Sequence, residues 1–406
     1  LPEVTGMSAP ALFRPAERTK NYNYAIRNIV AAAKAVEAEG RSVTYLNIGD
    51  PVLYGFQPPP VLQEALARAI RDGHNGYAPS VGTLAAREAI VQEAEKRGVY
   101  LSPEDVVISS GASEAADMVL SALLEPGDDV LTPCPTYPLY TAITAKLGAR
   151  ENYYRLDPAQ GWLPDPDEIQ DKITPRTRAI VIINPNNPCG AVYDARLLLE
   201  LLTIAEAHRL VVIADEVYCR LTYGPPPPPM AQLAAGMDVP VVTLESLSKS
   251  HLVPGWRVGW MTYTNTQGFR EVIAAVRKIA EARICSPLPT QQVLPVALEN
   301  QSHLPALIEE LKLRAAITVE ALNAIPGISC VAPRAAFYAM GQVADLKGQT
   351  DEAFVLALLR ATGVLFVHGS GFGLDPRDGF FRVVFLPPPD TLREVYARLA
   401  HFVQQR

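Results

Sequence analysis

Val239-Pro240-Val241-Val242-Thr243-Leu244-Glu245-Ser246-Leu247-Ser248-Lys249-Ser250-His251-Leu252-Val253-Pro254-Gly255-Trp256-Arg257-Val258-Gly259-Trp260-Met261-Thr262-Tyr263 reads as two buried strands joined by a polar turn. Val239–Leu244 and Arg257–Tyr263 are short, apolar and rich in β-branched or aromatic residues, the pattern of strands inside a sheet. Between them Lys249 is flanked by small hydroxyl residues, has an arginine eight positions on, and has no acidic neighbour. A lysine at a strand end is by default a solvated surface residue, because its charge is rarely buried without a partner or a task. Here both flanks are buried, so Lys249 is held at the mouth of a sheet, where the ligands of open α/β folds collect.

Working outward, apolar strands alternate with amphipathic helices between about Asp105 and Tyr263. The strands expected are Val106–Ile108, Asp129–Leu131, Ala179–Ile183 and Leu210–Ala214. Such alternation predicts an α/β architecture: a large domain with a mainly parallel sheet flanked by helices on both faces. After about residue 297 the texture changes to a long helix through Leu304–Ala324, short strands at Ala336–Met340, Val364–Val367 and Phe381–Phe385, and a final helix from Thr391. Nearer the start, a helical pattern from Ile26 to about Glu39 precedes a short strand, Val43–Gly49. These pieces predict a smaller α+β domain. The division expected is an N-terminal arm at 1–20, a large domain at 60–296, and a small domain built from 21–59 together with 297–406. The run Pro225–Pro229 reads as an extended surface loop.

Composition narrows the function classes. A chain of 406 residues exceeds what one small core holds. The net charge is −7 and no basic cluster occurs, which argues against nucleic acid as the main partner. No apolar run is long enough for a membrane span, and the N-terminus lacks a signal-peptide pattern, so the expectation is a soluble, cytoplasmic protein. The five cysteines are scattered and never in a Cys-x-x-Cys pair, which suggests reduced thiols and no metal site.

Several motifs supply distinct chemical groups at strand ends. Asp215 closes the strand leading into Glu216-Val217-Tyr218; a helix N-cap is the plain reading, and a buried anion for a protonated ring nitrogen the functional one. Tyr218, three residues on, and the amide of Asn187 in Asn184-Pro185-Asn186-Asn187-Pro188-Cys189-Gly190 are candidate donors to one phenolic oxygen, although Asn-Pro and Gly are also ordinary turn residues. Ser109-Ser110-Gly111-Ala112-Ser113-Glu114 opens a helix with small residues, so the N–H groups of Gly111, Ala112 and Ser113 form a ready anion site. Ser246, Ser248 and Arg257 add hydroxyls and a bidentate cation to that cradle. Tyr137 follows a strand end and is either a core aromatic or a ring that stacks on a flat ligand. Arg382 is a charge inside the apolar strand Phe381–Phe385, and it needs a carboxylate, either internal or that of a substrate. An imine-forming amine, a carboxylate for a pyridine nitrogen, donors for a phenol and a phosphate cradle are what pyridoxal 5'-phosphate requires.

The chain as a whole, from about Tyr24 onward, resembles the class I aminotransferases of pyridoxal-phosphate fold type I. It is most similar to the bacterial and archaeal alanine aminotransferases in Tyr24–Arg27, Leu46–Pro51, Arg283–Gln291, Val364–Gly373 and Phe381–Pro388. The resemblance implies transfer of an amino group between an L-amino acid, here alanine, and a 2-oxo acid by a ping-pong mechanism, with a 2-oxoglutarate and pyruvate pair. It implies Lys249 as base and acid at the substrate Cα, backbone contact to substrate at Gly49, and substrate contacts from Asn187 and Arg382. It also implies a homodimer in which Tyr77 reaches the neighbour's cofactor phosphate. Two departures stand out: Cys189 replaces the usual threonine, and Ala335 the usual glycine before Ala-Phe-Tyr. Asn-Pro-Cys-Gly together with Leu252–Arg257 is similar to tyrosine aminotransferases, which leaves an aromatic donor as the alternative. A lyase on the same fold and an effector-binding domain of a transcription regulator are the remaining readings; the acidic charge and the absence of a DNA-binding segment speak against the latter. Arg27 and Arg283 could each contact substrate or brace the site.

Overall fold

The computed structural model describes residues 13–21, 26 and 29–406. The expected arm lies partly outside the described residues, as do Tyr24, Ala25 and Arg27 of the first quoted motif. Eight strands form the main sheet: β1 Val106–Ser109, β2 Asp129–Cys134, β3 Arg150–Asp157, β4 Leu163–Pro164, β5 Thr177–Ile183, β6 Val211–Asp215, β7 Val241–Ser246 and β8 Gly259–Thr264. Their order across the sheet is β1-β8-β7-β6-β5-β2-β3-β4. The run from β7 to β3 is parallel throughout, whereas β8 is antiparallel to both β7 and β1, and β4 to β3.

Alternate residues of the central strands enter opposite layers. Ile180, Ile182, Val212 and Ala214 join one apolar cluster with the helix Ala195–Ala207. Ala179, Val181, Ile183, Val211 and Ile213 join another with the helices Ala112–Leu123 and Arg270–Ala282. This is the two-residue period of a sheet covered on both faces, and it explains why the strands read as unbroken apolar runs.

A second sheet holds β9 Ile328–Cys330, β10 Tyr338–Val343, β11 Val367–His368 and β12 Phe380–Val384, all antiparallel in the order β9-β10-β12-β11. Beside it Thr44–Tyr45 pairs in parallel with Val364–Leu365. The helices Leu304–Asn323, Asp351–Thr362 and Pro389–Gln404 contribute to one core with these strands, and Ile29, Ala33 and Leu46 from the N-terminal segment enter the same core.

Three sequence expectations need correction. Strands β3 and β4 were absent from the predicted set, because Arg150–Asp157 is polar and buries only Tyr154 and Leu156. The quoted run is shifted: β7 continues through Glu245 and Ser246, and β8 begins at Gly259. Arg257 therefore lies outside the strand, with a left-handed backbone (φ 55°, ψ 54°) after the turn Pro254–Trp256. That conformation turns its guanidinium back across the mouth of the sheet. The predicted strand Val364–Val367 is two short pieces in different pairings, Val364–Leu365 and Val367–His368.

Among the described residues no helix is long and apolar enough to cross a membrane. All five cysteines are free thiols, four buried and Cys285 half-buried. Burial pushes the Cys189, Cys219 and Cys330 thiols up to about 12.

Candidate active site

The carboxyl ends of β1, β2, β5, β6 and β7 all open onto one cavity of about 500 Å³. Gly49, Ala112, Ser113, Tyr137, Asn187, Asp215, Tyr218, Ser246, Ser248, Lys249, Arg257 and Arg382 line it. Twelve of the fourteen residues picked from the sequence thus meet in one space. The other two are Gly111, which lies against the Arg257 guanidinium, and Tyr77, which is 82% exposed and does not line the cavity.

Lys249 lies on a single helical turn, Leu247–Ser250, that follows β7 directly and is capped by Ser246, whose hydroxyl accepts the N–H of Ser248 at 3.3 Å. Its Nζ donates to the carbonyl of Gly49 at 2.7 Å, across 200 residues of sequence. Burial lowers its pKa to about 8, with the Arg382 and Arg257 charges adding to the effect and Asp50 opposing it. Such an amine is partly neutral near pH 8, the condition for a nucleophile or a base.

Asp215 ends β6, and its carboxylate accepts Tyr140 Oη–H at 2.7 Å and the N–H of Val217 at 3.3 Å. Burial raises its pKa, while these two hydrogen bonds pull it back. No salt bridge to Asp215 occurs among the described residues, so its ionised form calls for a cation from outside the chain. Tyr140 was missed in the sequence; it sits two residues inside the helix Pro138–Leu147, where its only signal was a tyrosine close to Tyr137.

On the opposite wall Arg382 is 1% exposed. It donates to Asn187 Oδ1 at 3.1 Å and to the carbonyl of Asn47 at 2.6 Å, and it lies between the Tyr338 and Phe372 rings, 4.7 Å from each centroid. Since the amide oxygen of Asn187 is committed to Arg382, its NH2 edge is the part left to act as donor. Tyr218 Oη is 2.9 Å from Tyr338 Oη. Tyr338 was also missed, being read as one residue of an ordinary strand.

The small-residue turn is built tightly. Gly111 has φ 86°, and any Cβ there would overlap the Arg257 guanidinium. Arg257 donates to the carbonyls of Ser110 at 2.8 Å and Pro254 at 3.0 Å, which lays a fixed positive charge beside the start of the helix Ala112–Leu123. Arg283, whose task was open, braces this turn: it donates to Glu114 at 2.6 Å, Ser286 at 2.8 Å and the Ser80 carbonyl at 3.0 Å. It does not line the cavity. Arg27 lies outside the described residues.

Behind the strand ends runs a buried ion network that the sequence did not reveal. Arg97 bridges Glu216 at 2.9 Å and Glu245 at 3.0 Å, and Arg220 bridges Glu245 and Glu93. Glu216 adjoins Asp215 and Glu245 adjoins Ser246, so the network anchors two strand ends from the rear. Burial alone would raise the Glu245 pKa, but Arg97 and Arg220 hold it down to about 2. A carboxylate with a depressed folded-state pKa stabilises the fold above its unfolded value, near 4.5, and loses that contribution as the pH falls towards 2. Glu216 is raised mainly by burial and further by the Glu245 charge, so Glu245→Gln relieves part of that rise and trims the gap between variant and wild type. Glu245→Gln is therefore expected to cost about 3 kcal/mol at pH 7, with the gap to wild type closing between pH 4.5 and 2. Urea unfolding across that range measures it, and a pH-independent gap would refute the assignment.

A family model described as aminotransferase class I and II matches residues 41–399. The chain is 38% identical to the glutamate-pyruvate aminotransferase AlaA of Haemophilus influenzae over 97% of its own length and 98% of the relative's. It is 36% identical to an alanine aminotransferase of Mycobacterium tuberculosis, covering 96% and 92%. The solved structure of an alanine aminotransferase from Pyrococcus furiosus superposes with a TM-score of 0.94 at 40% identity, over 97% of this chain and all of that one.

Proposed function

The chain belongs to the class I and II aminotransferase family and has its fold type I architecture, and from that premise we propose an alanine-type enzyme exchanging amino groups between alanine or glutamate and the matching 2-oxo acids. The relatives named for alanine or for glutamate and pyruvate, at 36–38% identity over nearly the whole chain, support this substrate pair. The observation that carries the reading is the meeting of Lys249, Asp215, Tyr218, Asn187, Arg257 and Arg382 around one cavity.

Pyridoxal 5'-phosphate fits the residues present. Asp215 is a buried carboxyl in need of a cation, Arg257 and the Gly111–Ser113 turn form an anion cradle, and Lys249 is an amine with a depressed pKa. When bound, the cofactor supplies an aldehyde carbon that takes up an amine and a ring that draws electrons from the substrate α-carbon.

Within that frame Asp215 would keep a proton on the ring nitrogen. Tyr218 and the Asn187 amide would donate to the phenolic oxygen, Ser246, Ser248 and Arg257 would hold the phosphate, and Tyr137 would cover the ring. With the cofactor in place, Lys249 Nζ would serve as the base that takes the proton from the substrate Cα and as the acid that returns it. Arg382, backed by Asn187 and the Asn47 carbonyl, grips the substrate α-carboxylate, and Gly49 presents its backbone to the same ligand. The two half-reactions then alternate in ping-pong order.

Two copies of the chain are proposed to complete the assembly, because Tyr77 is exposed and outside its own cavity, free to reach that of a partner. The large unit 60–296 and the small unit 21–59 with 297–406 are proposed on the grounds that Ile29, Ala33 and Leu46 share the core of the C-terminal elements.

Mixing the holoprotein with single amino acids and following loss of its visible-edge absorbance tests the reading. Response to alanine and glutamate is expected. Asn-Pro-Cys-Gly and the Leu252–Arg257 run favour an aromatic donor, and a tyrosine rate above the alanine rate would establish that instead. Arg382→Lys, which keeps the charge but loses the fork, is expected to raise KM for every amino acid by roughly 10- to 150-fold with a smaller change in kcat. An unchanged KM in steady-state kinetics would remove Arg382 from the substrate site.

A further inference from the structure

We propose that Tyr338 is a positioning residue whose hydroxyl donates to Tyr218 and thereby fixes the Tyr218 proton on the cavity side, towards the phenolic oxygen of the cofactor. The inference rests on the reading of Tyr218 as a donor to that oxygen and extends it to a side chain in the other sheet.

The two hydroxyl oxygens are 2.9 Å apart and both residues are buried. Each phenol carries one proton, so one oxygen of the pair accepts. With the Tyr218 proton directed into the cavity, its lone pair is the acceptor and Tyr338 the donor. The reverse polarity would spend the Tyr218 proton on Tyr338 and turn a lone pair towards the cofactor's electron-rich oxygen. Hydrogen bonds in a chain strengthen one another in a medium of low polarity, so donation from Tyr338 makes Tyr218 the better donor.

The placement of Tyr338 is over-determined. Its ring meets Tyr218 edge-on at 5.7 Å and packs against Phe337 at 4.7 Å, which prevents the hydroxyl from swinging away. Its face carries the Arg382 guanidinium. Gly49 has no room for a side chain because the Tyr338 hydroxyl and the Phe337 ring fill the space, and the Gly49 carbonyl is what receives Lys249 Nζ. One side chain on β10 therefore abuts the amine's backbone acceptor, the phenol donor and the carboxylate-binding arginine.

Tyr338→Phe removes only the hydroxyl and keeps the ring under Arg382, so packing and substrate affinity are preserved. The experiment is a pH titration of the holoenzyme's visible-edge absorbance for wild type, Tyr338→Phe, Tyr218→Phe and the double variant. The midpoint of Tyr338→Phe is expected to rise by roughly half a unit, less than in Tyr218→Phe, and Tyr338→Phe should add nothing in the Tyr218→Phe background. KM for alanine should stay within about two-fold, since Arg382 keeps its ring contact. An unchanged midpoint in Tyr338→Phe, or an equal shift with and without Tyr218, overturns the proposal. A wild-type holoprotein with no such band would instead remove the cofactor reading on which it depends.

Discussion

Lys249→Ala is expected to lower turnover by roughly four orders of magnitude or more and to abolish the holoprotein's visible-edge absorbance. The expected effect is large because the proposed function gives one atom two tasks, bonding the cofactor's aldehyde carbon and carrying the Cα proton. An ordinary lysine, with its pKa of 10.5, would be almost wholly protonated at neutral pH and unable to do either. Burial, helped by Arg382 and Arg257, brings Lys249 to about 8. The free-amine fraction therefore rises as the pH passes through about 8 and falls below it. Lys249→Arg serves as the control for charge: it retains a cation in the same place but no usable amine, and it should be as inactive as the alanine variant. Steady-state rates and absorbance spectra measure both, and full activity in Lys249→Ala would end the assignment.

Asp215→Asn is expected to lower kcat by about 10²–10³-fold while leaving the fold intact. Asparagine keeps the shape and, with its single amide oxygen, the hydrogen bond from Tyr140 at the expense of the longer one from Val217, and it removes the negative charge that would hold a proton on the ring nitrogen. Without cofactor the prediction runs the other way for stability. The carboxyl is desolvated and lacks a cation among the described residues, so burial raises its pKa; a neutral amide relieves that penalty, and the melting temperature of the apoprotein should hold or rise. Turnover within about three-fold of wild type would contradict the electrostatic role. A fall in both apoprotein stability and turnover would mark Asp215 as structural.

The central strands were legible because their chemistry is one-sided. Ala179–Ile183 and Leu210–Ala214 are covered by helices on both faces and must be apolar at every position, which makes them visible without knowledge of the neighbours. Arg150–Asp157 lies towards the edge of the sheet, where only Tyr154 and Leu156 are buried, and its polar surface hid it. The same distinction applies to the cavity. Lys249, Asp215, Asn187 and the Gly111 turn were readable because each stands at a strand end, where local sequence shows an unusual group in an apolar setting. Tyr140 and Tyr338 were not, since a tyrosine beside a strand or helix is normally core, and their importance lies in partners 75 and 120 residues away. The ion network of Arg97, Arg220, Glu93, Glu216 and Glu245 failed to show for a similar reason: its members look like surface charges until the fold brings them together.

Arg382 reaches the carbonyl of Asn47 across 335 positions of the chain, and Lys249 reaches Gly49 across 200. The groups assigned to the cofactor within one chain, by contrast, all lie between Gly111 and Arg257. In the proposed reading the middle of the polypeptide carries the cofactor task, and its two flanks, with Asn187 from the middle, carry the grip on substrate. In chain order every residue assigned to the cradle precedes Arg382, so the proposed cofactor site and the proposed grip on substrate depend on different stretches of the polypeptide. The proposed grip on substrate is complete only where the last strand of the smaller sheet meets the first turns of the chain, through Arg382 and the Asn47 carbonyl.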